Sequence, residues 1–401
     1  MRPGFYISRV RARNFRNFED LDAELGRFNV VIGHNGAGKS NFLRIFSFLK
    51  DVVDRGVADA ISRQNGRASI MTRGSDDRSL YMEFHFDPDR PIPVFRSNAD
   101  CKILADRIVY EFEVTFAGSG YEVTRDNMKI SCRGSEAPAG GVSIYRSGGK
   151  AGLDCNFTGD VSRIKRLLDT LTSDMPVDAL LLESRDLIAA VSPELGEFLN
   201  NMGTYDLHPS KLKSSNGIGG PPRLMSDGSN ISSVIRMLEG SPDQLRELVL
   251  LTQDFHPSVS RIKTKTCGDG RLKLLVEESH IPDVLDLTDA SDGTLNTIAI
   301  MVSMFYNSNR FTAIEEPERN IQLGLLTKLV EFMRDASHFN QMVVTTHNPC
   351  VLDSAKQDEI LMIIRDDAGR SLMDVPHNHK MVKKFNDVMS MSELMGQKLL
   401  G

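Results

Sequence analysis

Apolar and polar positions recur with different periods along the chain, and their order predicts a mixed α/β fold. Residues 28–32 form an unbroken apolar run, which is typical of a strand buried on both faces. Residues 41–61 place apolar side chains at helical spacing and predict one long amphipathic helix. Alternation of apolar and polar residues predicts half-buried strands over residues 6–15, 21–25, 79–86, 108–116 and 121–132.

The middle of the chain changes to helical spacing. Residues 133–160 are rich in Gly, Ser and Ala and are expected to be irregular, and residues 211–227 are loop-rich. Helices are predicted over residues 161–171, 193–202, 231–238 and 242–255. Strands are predicted at residues 259–265, 271–277, 360–365 and 371–375, and a Met-rich tail helix follows them.

The segment between the buried run and the long helix carries the strongest chemical motif, G-x-x-x-x-G-K-S. Its glycines let the backbone approach phosphate groups, and N–H groups at the helix start point toward them. Lys39 is placed for the β- and γ-phosphates, and the Ser40 hydroxyl is placed to bind Mg²⁺. The candidate nucleotide ligands are Gly33, Asn35, Gly36, Gly38, Lys39, Ser40 and Asn41.

Composition limits the other function classes. The 401 residues are 40% hydrophobic, enough for a large core and more than one domain-sized unit. No apolar run is long enough to span a membrane and residues 1–5 lack a signal-peptide core, so we expect a soluble cytoplasmic protein without membrane contact. The five scattered cysteines predict neither a disulfide framework nor a metal site. With a net charge of −6, any DNA binding would use a local basic patch.

The densest basic cluster lies in the first predicted strand and the turn after it. It consists of Arg9, Arg11, Arg13 and Arg16. Two interpretations stay open. The cluster is either the solvated face of an edge strand, or it places Arg16 near the nucleotide and the other arginines near DNA phosphates.

Three further motifs follow in order along the second half. Residues 291–293 (Ser-Asp-Gly) open a strongly apolar helical stretch, where the serine alone would be read as an N-cap. One short predicted strand ends in Glu315 and Glu316, and a later one ends in His347. Glu315 can hold Mg²⁺ directly or through water, and Glu316 can orient and deprotonate the attacking water. His347 can hydrogen-bond the γ-phosphate.

This order of four motifs resembles the core of ABC-type ATPases, where they are Walker A, signature, Walker B and switch histidine. Within that group the chain is most similar to the RecF, SMC and overcoming-lysogenization-defect (OLD) branch, including stand-alone ATPases of bacterial anti-phage systems. The resemblance rests on residues 10–18, 291–295 and 314–318, and it spans most of residues 5–355.

The resemblance implies the α/β fold of an ABC ATPase head, with a P-loop core sheet, an antiparallel β subdomain and a mainly helical lateral lobe. The expected divisions are 1–160 for the first part of the core with the β subdomain, 161–256 for the helical lobe, 257–376 for the second part of the core, and 377–401 for the tail helix.

The resemblance also implies ATP and Mg²⁺ as cofactors and a head-to-tail homodimer with two ATP molecules at its interface. The higher oligomeric state is left open. In that dimer Ser291 and Gly293 of one subunit cap the γ-phosphate held by Lys39 of the other. Gln64 is a candidate for the glutamine that links the nucleotide to the lateral lobe.

The chain departs from the common family pattern in several places. Asp292 replaces a signature glycine, Glu315 replaces the usual Asp, and residues 319–322 lack the Leu-His-Pro run of many relatives. Dimer contacts at residues 319–322 are therefore open. Only 54 residues follow His347, so we expect no Toprim nuclease domain of the OLD type. An effector is expected on a separate chain, docking on the tail or on residues 161–256.

The expected function is that of an ABC-class ATPase that binds and hydrolyses ATP. Its nucleotide-dependent dimerisation would control a separate nuclease or toxin in bacterial anti-phage defence. Two alternatives remain. One is a RecF-like DNA-repair ATPase that clamps DNA, and the other is a scaffold that binds ATP with negligible hydrolysis.

Overall fold

The computed structural model describes residues 4–95, 103–118, 120–133, 140–155, 162–214, 216–217, 220–279, 285–286, 290–366, 368–376 and 393–394. The strands are β1 Phe5–Phe15, β2 Phe18–Glu24, β3 Phe28–Ile32, β4 Ser79–Pro88, β5 Ile92–Pro93, β6 Leu104–Ala117, β7 Gly120–Arg133, β8 Gly140–Ser147, β9 Lys150–Cys155, β10 Met202–Tyr205, β11 Asn216–Gly217, β12 Val259–Thr266, β13 Arg271–Glu278, β14 Leu285–Asp286, β15 Phe311–Glu315, β16 Gln341–Thr345, β17 Ile360–Arg365 and β18 Ser371–Asp374.

The helices lie mainly between β9 and β12 and around the later strands. They are α1 Lys39–Arg55, α2 Val57–Arg63, α3 Arg67–Ile70, α4 Ser162–Thr172, α5 Arg185–Val191, α6 Pro193–Asn200, α7 Pro209–Leu212, α8 Ile231–Leu238, α9 Pro242–Gln253, α10 Asp292–Met301, α11 Leu326–Ala336 and α12 Pro349–Ser354. Short 3₁₀ turns cover Leu181–Glu183, Leu323–Leu325 and Gln357–Glu359, and a π-helical turn covers Val302–Tyr306.

A six-stranded sheet in the order β10-β15-β16-β3-β17-β18 forms the centre of the molecule. Its strand pairs are parallel except for the antiparallel pair β17 and β18. Every residue of β3 and β16 is buried, as expected for parallel strands covered on both faces. Because β3, β15 and β16 are neighbours and parallel, the segments that follow them meet at one edge of this sheet.

Successive residues of β3 face opposite sides of the sheet and enter different hydrophobic cores. Val31 packs in the core that also contains α1 and the antiparallel strands. Val30 and Ile32 pack in the second core, together with α8, α10 and α11. The central sheet therefore separates two layers, and α1 lies in the first of them.

The antiparallel subdomain is a sheet in the order β2-β1-β4-β6-β7-β8-β9, with β5 also pairing with β6. Here the expectation of irregular structure over residues 133–160 is wrong where the structure describes it, because β8 and β9 form a hairpin. Val142 and Ile144 alternate with polar neighbours and are buried, which is enough to extend the sheet. The glycine-rich composition concealed this short alternation.

The single long helix predicted over residues 41–61 is divided at Gly56. This residue has φ +88°, a conformation that favours glycine, and an added Cβ would lie 2.6 Å from Glu183 Oε2. Glu183 Oε1 also accepts a hydrogen bond from the backbone N–H of Val57 at 3.1 Å. The carboxylate of Glu183, distant in sequence, thus accepts the first backbone N–H of α2. Hydrophobic periodicity does not reveal such a partner.

Residues 161–256 are mainly helical, but β10 within them pairs in parallel with β15 of the central sheet. The proposed division into domains stays a prediction. The predicted tail helix lies outside the described residues except for residues 393–394, of which Leu394 is buried in the second core. No helix in the described ranges is long and apolar enough to cross a bilayer.

Candidate active site

The phosphate-binding loop joins β3 to α1, as predicted. Gly38 adopts φ +121°, and a Cβ at this position would collide with the Asn17 side chain and lie 2.9 Å from Ser371 Oγ. Gly36 likewise has a positive φ of +78°. Only glycine suits this close backbone path.

Distant residues support the loop from outside. Asn17 Nδ2 donates to the carbonyl of Ala37 at 3.2 Å, and Asn41 Nδ2 donates to Asn17 Oδ1 at 2.8 Å. Ser371 Oγ also donates to Ala37 O, and Arg365 donates to Gly36 O at 2.5 Å. Sequence reasoning missed these supports. Asn17 lies in the opening motif, but Arg365 and Ser371 come from β17 and β18 and carry no local signal.

Lys39 is buried within the loop. Its Nζ donates to the carbonyls of Gly33 at 2.7 Å and His34 at 3.3 Å. Burial lowers the pKa of Lys39, and the negative charges of Glu316 and Glu315 act against this shift. The ammonium group therefore lies inside the loop and faces the carboxylates that follow β15.

Ser40 and Glu315 lie together, with 2.5 Å between Ser40 Oγ and Glu315 Oε1. A hydroxyl and a carboxylate oxygen suit Mg²⁺, which commonly takes one or two protein ligands and completes its shell with phosphate and water oxygens. In the described part of the chain, no group of three or more His, Cys, Asp or Glu side chains is arranged to hold a metal ion alone. The pair fits a metal that arrives with the nucleotide.

Glu316 directly follows β15 in a left-handed conformation, with φ +46°. Its Oε1 lies 2.8 Å from His347 Nδ1, and its Oε2 accepts from Arg319 Nε at 2.8 Å. Burial acts to raise the pKa of Glu316, but the hydrogen bonds from Arg319 and His347 outweigh it and leave the pKa below its usual value. Two residues predicted from separate strand ends are thus in contact, and the carboxylate is ionised.

Arg319 connects this carboxylate to the end of β10. Its NH1 group donates to Asp206 Oδ1 at 2.8 Å while Nε contacts Glu316. Sequence reasoning treated Arg319 only as a departure from the family pattern, and it did not identify Asp206. A link between these residues requires β10 and β15 to be neighbours, and only the fold shows that.

Glu318 is a third carboxylate of this region, to which the sequence assigned no role. It is buried and accepts a hydrogen bond from Thr346 Oγ1, and Thr346 Oγ1 accepts one from the Asn348 backbone N–H at 2.9 Å. Burial raises the pKa of Glu318. Glu318 therefore ties the loop after β15 to the loop that carries His347.

The signature residues begin α10. Ser291 Oγ accepts from the backbone N–H of Thr294 at 3.0 Å, which is the N-cap geometry. A Cβ on Gly293 would lie 2.6 Å from the carbonyl of Asn320, and His256 Cε1 would be 3.5 Å away. The structure thus places the signature turn against the segment that follows Glu316.

The basic cluster divides into two environments. Arg16 is half-buried, donates to Gln64 Oε1, and has its pKa lowered to about 10 by burial and the nearby charge of Arg44. Arg9 forms a bidentate pair with Asp22, with both N–O distances at or below 2.7 Å. Arg11 lies 3.4 Å from Asp22 and 3.9 Å from Glu83, and Arg13 stacks on Tyr81 at 4.4 Å. These contacts favour a solvated sheet face for Arg9, Arg11 and Arg13.

Two protein families match the chain. Residues 6–187 match a family described as "AAA ATPase domain", and residues 244–353 match one described as "AAA domain, putative AbiEii toxin, Type IV TA system". The first match contains the phosphate-binding loop, and the second contains the signature, Glu316 and His347. The two matches leave residues 188–243 between them.

Curated relatives match over short stretches. The DNA replication and repair protein RecF of Actinobacillus pleuropneumoniae serotype 5b (strain L20) is 46% identical over 44 residues, 11% of this chain and 12% of that protein. RecF of Brucella abortus (strain 2308) is 33% identical over 78 residues, 19% of this chain and 20% of that protein. The matches thus span a fifth or less of these relatives.

Solved structures match over nearly the whole chain. An Smc head bound to the C-terminal winged-helix domain of ScpA superposes with a TM-score of 0.52 at 15% identity, covering 92% of this chain and 97% of that one. A Pyrococcus furiosus Smc head bound to the C-terminal domain of ScpA has a TM-score of 0.52 at 14% identity, with coverage of 96% and 99%. At this identity the likeness concerns the fold.

The fold is that of an SMC ATPase head, an α/β core with a large antiparallel sheet. Together with the two ATPase family matches and the short RecF matches, this fold supports an ABC-type ATPase of the RecF and SMC branch, the group that the order of motifs resembles.

Proposed function

We propose that this ATPase binds ATP with Mg²⁺ and hydrolyses it at the loop following β3. The observation that carries the proposal is the convergence of three parallel strand ends. Lys39 and Ser40 follow β3, Glu315 and Glu316 lie at the end of β15, and His347 follows β16. Phosphate binding, metal binding and water activation are thus available at one edge of the sheet.

The residues divide the chemistry among them. Lys39 and the loop N–H groups hold the phosphates, and Ser40 with Glu315 would hold Mg²⁺. The bound cation would neutralise charge that develops on the phosphate oxygens. Glu316 accepts a proton from the attacking water, and its lowered pKa keeps it ionised near neutral pH. His347, in contact with Glu316, is placed to sense the γ-phosphate.

Two copies of the chain complete each site in this proposal. Ser291 and Asp292 are exposed at the start of α10, whereas residues 294–301 are buried, so the signature end of this helix faces outward. Leu323, close after the Walker B segment, is also 66% exposed. An outward signature turn and an exposed apolar residue near it suit a surface that a second head covers. Ser291 and Gly293 would then cap the γ-phosphate held by the partner's loop.

We further propose that head closure controls a separate effector protein, a nuclease or toxin in anti-phage defence. The description of the family matched by residues 244–353 includes a putative toxin of a toxin–antitoxin system and supports this proposal. The solved Smc heads carry bound ScpA domains, so a head of this fold can present a surface to another protein. Copurification of the tagged chain with its operon neighbours tests the proposal, and recovery of the bare chain alone would count against it.

Substitution of Glu316 by Gln tests hydrolysis. The amide keeps the shape but cannot accept the proton, so turnover should fall by about two to four orders of magnitude while ATP binding persists. ATP turnover and the mass of the assembly with ATP are the measurements. If the chain is an ATP-driven switch, the Glu316→Gln variant should accumulate as an ATP-bound dimer. Equal turnover in the wild-type chain and the variant would favour the scaffold alternative.

The RecF-like alternative is favoured by the RecF matches. It predicts that the ATP-bound dimer of the Glu316→Gln variant retains DNA through a high-salt wash, as a closed clamp would. An effector-controlling ATPase would instead bind its partner protein in an ATP-dependent manner without a DNA requirement.

A further inference from the structure

A second cleft lies beside the outer face of α1, away from the phosphate-binding loop. It encloses about 740 Å³ and is bordered by α1, α2, β10 and residues 223–226. Its lining excludes Lys39, Ser40, Glu315 and Glu316 but includes Gln64, which accepts a hydrogen bond from Arg16. The cleft is therefore a different feature from the candidate active site, although it shares α1 and β10 with it.

The charge of this cleft is opposite to that of the chain. Two carboxylates line it, Asp51 and Asp54, against six cationic side chains, so its formal charge is +4 on a chain of net charge −6. The cations are Arg44, Lys50, Arg55, Arg63, Arg185 and Arg223. Such a concentration in a concave surface produces a positive potential that attracts anions.

Some of these cations have partners inside the protein. Asp54 pairs with Lys50 at 2.9 Å, and Asp51 pairs with Arg63 at 2.9 Å, so both carboxylates are used. Arg223 donates to the carbonyl of Asn200 at 2.8 Å. It stabilises the end of α6.

Three arginines of the cleft are different. Arg44, Arg55 and Arg185 are exposed and make no side-chain hydrogen bond or ion pair within the described part of the chain. Like charges also face each other, since the charges of Arg223 and Arg185 act to lower the pKa of Lys50. An anion in the cleft would relieve this repulsion and supply the missing acceptors.

The remaining lining favours phosphate over other anionic groups. Thr204 and Ser226 add hydroxyl donors to the guanidinium groups. Tyr205, the aromatic residue of the lining, is buried and its hydroxyl accepts from Asn307 and Asn309, so it offers no open ring for a base. Guanidinium groups match the geometry of phosphate. Because the lining offers no aromatic ring on which a base could stack, the cleft would bind phosphates rather than bases.

We propose that this cleft is a second anion site, which binds the clustered phosphate groups of a ligand other than the ATP in the active site. The phosphates belong to a free oligophosphate or to a nucleic-acid backbone. The occupant would contact α1, which starts at Lys39, and β10, which ends next to Asp206. It would therefore lie against α1, which carries Lys39, and against β10, next to the Asp206 that pairs with Arg319.

Binding measurements on the full chain test the proposal. Inorganic tripolyphosphate is titrated into the Lys39→Ala variant, in which binding at the loop is removed, and the measurement is repeated at higher salt. One binding event should remain and weaken with salt. Arg55→Gln combined with Arg185→Gln should weaken it by roughly tenfold, since each substitution removes one exposed ion pair with the phosphate groups. Arg90→Gln combined with Arg246→Gln has the same charge change outside the cleft and should leave it unchanged.

A short mixed-sequence oligonucleotide, titrated into the same variants, distinguishes the two sources. Binding of the oligonucleotide that depends on Arg55 and Arg185 assigns the nucleic-acid backbone, and binding of tripolyphosphate alone assigns a free oligophosphate. Three results would overturn the proposal. They are no binding to the Lys39→Ala variant, equal weakening by the two double substitutions, or equally tight binding of a poly-glutamate peptide.

Discussion

At the scale of single residues, the ionised state of Glu316 depends on its two neighbours. Arg319 and His347 both hydrogen-bond its carboxylate, and Arg319 is itself held by Asp206. A base that is paired with a guanidinium group is stabilised in its charged form and is correspondingly weak. The position of Arg319 therefore controls how readily Glu316 takes a proton.

Removal of Arg319 should change the pH profile of turnover. In the proposed mechanism hydrolysis requires ionised Glu316 and is lost as the pH falls through its pKa. Without Arg319, one of the two hydrogen bonds that act against burial is lost and the pKa of Glu316 rises, so the acid limb of the Arg319→Ala profile should move to higher pH. The measurement is turnover against pH at saturating ATP.

Arg334→Ala is the matched control for that profile. Arg334 is similarly buried, with 21% side-chain exposure against 26% for Arg319, and pairs with Glu359 at 2.7 Å away from the site. A loss of turnover in Arg319→Ala without a shift of the acid limb would show that Arg319 is structural.

At the scale of elements, two sets of contacts place the site on rigid supports. The glycine-rich loop is held between β3 and α1 by Asn17 and Ser371, and α1 ends where Gly56 turns the chain into α2. Glu183 then satisfies the first N–H of α2. The turn from α1 into α2 is thus satisfied by a residue more than a hundred positions away.

Replacement of Gly56 by Ala should destabilise the fold more than the same change at Gly66. Both glycines have positive φ, +88° and +75°, with an extended ψ, a region essentially restricted to glycine that costs an alanine about 1–3 kcal/mol. Only at Gly56 would the new Cβ also meet Glu183, whereas Gly66 has no heavy atom within 4 Å of that position. The expected difference is roughly 1–3 kcal/mol in the free energy of unfolding, measured by denaturant titration. Equal losses of unfolding free energy in the two variants would mean that the Glu183 side chain moves aside at no energetic cost.

At the scale of the whole molecule, the proposed dimer predicts complementation between defective chains. Lys39→Ala removes phosphate binding and Ser291→Arg blocks the signature surface, so each variant alone should be inactive. In a mixed dimer one site combines an intact Lys39 with an intact Ser291, and mixing should restore part of the turnover. Hydrolysis before and after mixing is the measurement. Failure to recover activity, together with a monomeric mass in the presence of ATP, would contradict the dimer.

Several parts of the site could be predicted because their information is local. The loop motif, the Ser291 cap and the acidic end of β15 each occupy a few consecutive residues next to a recognisable strand or helix. Parallel strand ends then have to meet if the strands are neighbours. For this reason the sequence predicts Ser40 and Glu315 as Mg²⁺ ligands and assigns Glu316 and His347 to the same site, whereas the contact between Glu316 and His347 comes from the structure.

Other features depend on contacts between residues far apart in the chain, which periodicity and motif spacing do not encode. Arg365 and Ser371 reach the loop because β17 lies beside β3 and β18 lies beside β17, and Asp206 reaches Arg319 because β10 lies beside β15. The positive cleft is likewise assembled from α1, β10 and residues 223–226. The chain's local pattern therefore specifies the ATPase chemistry, whereas the order of strands in the sheet decides what surrounds and adjusts it.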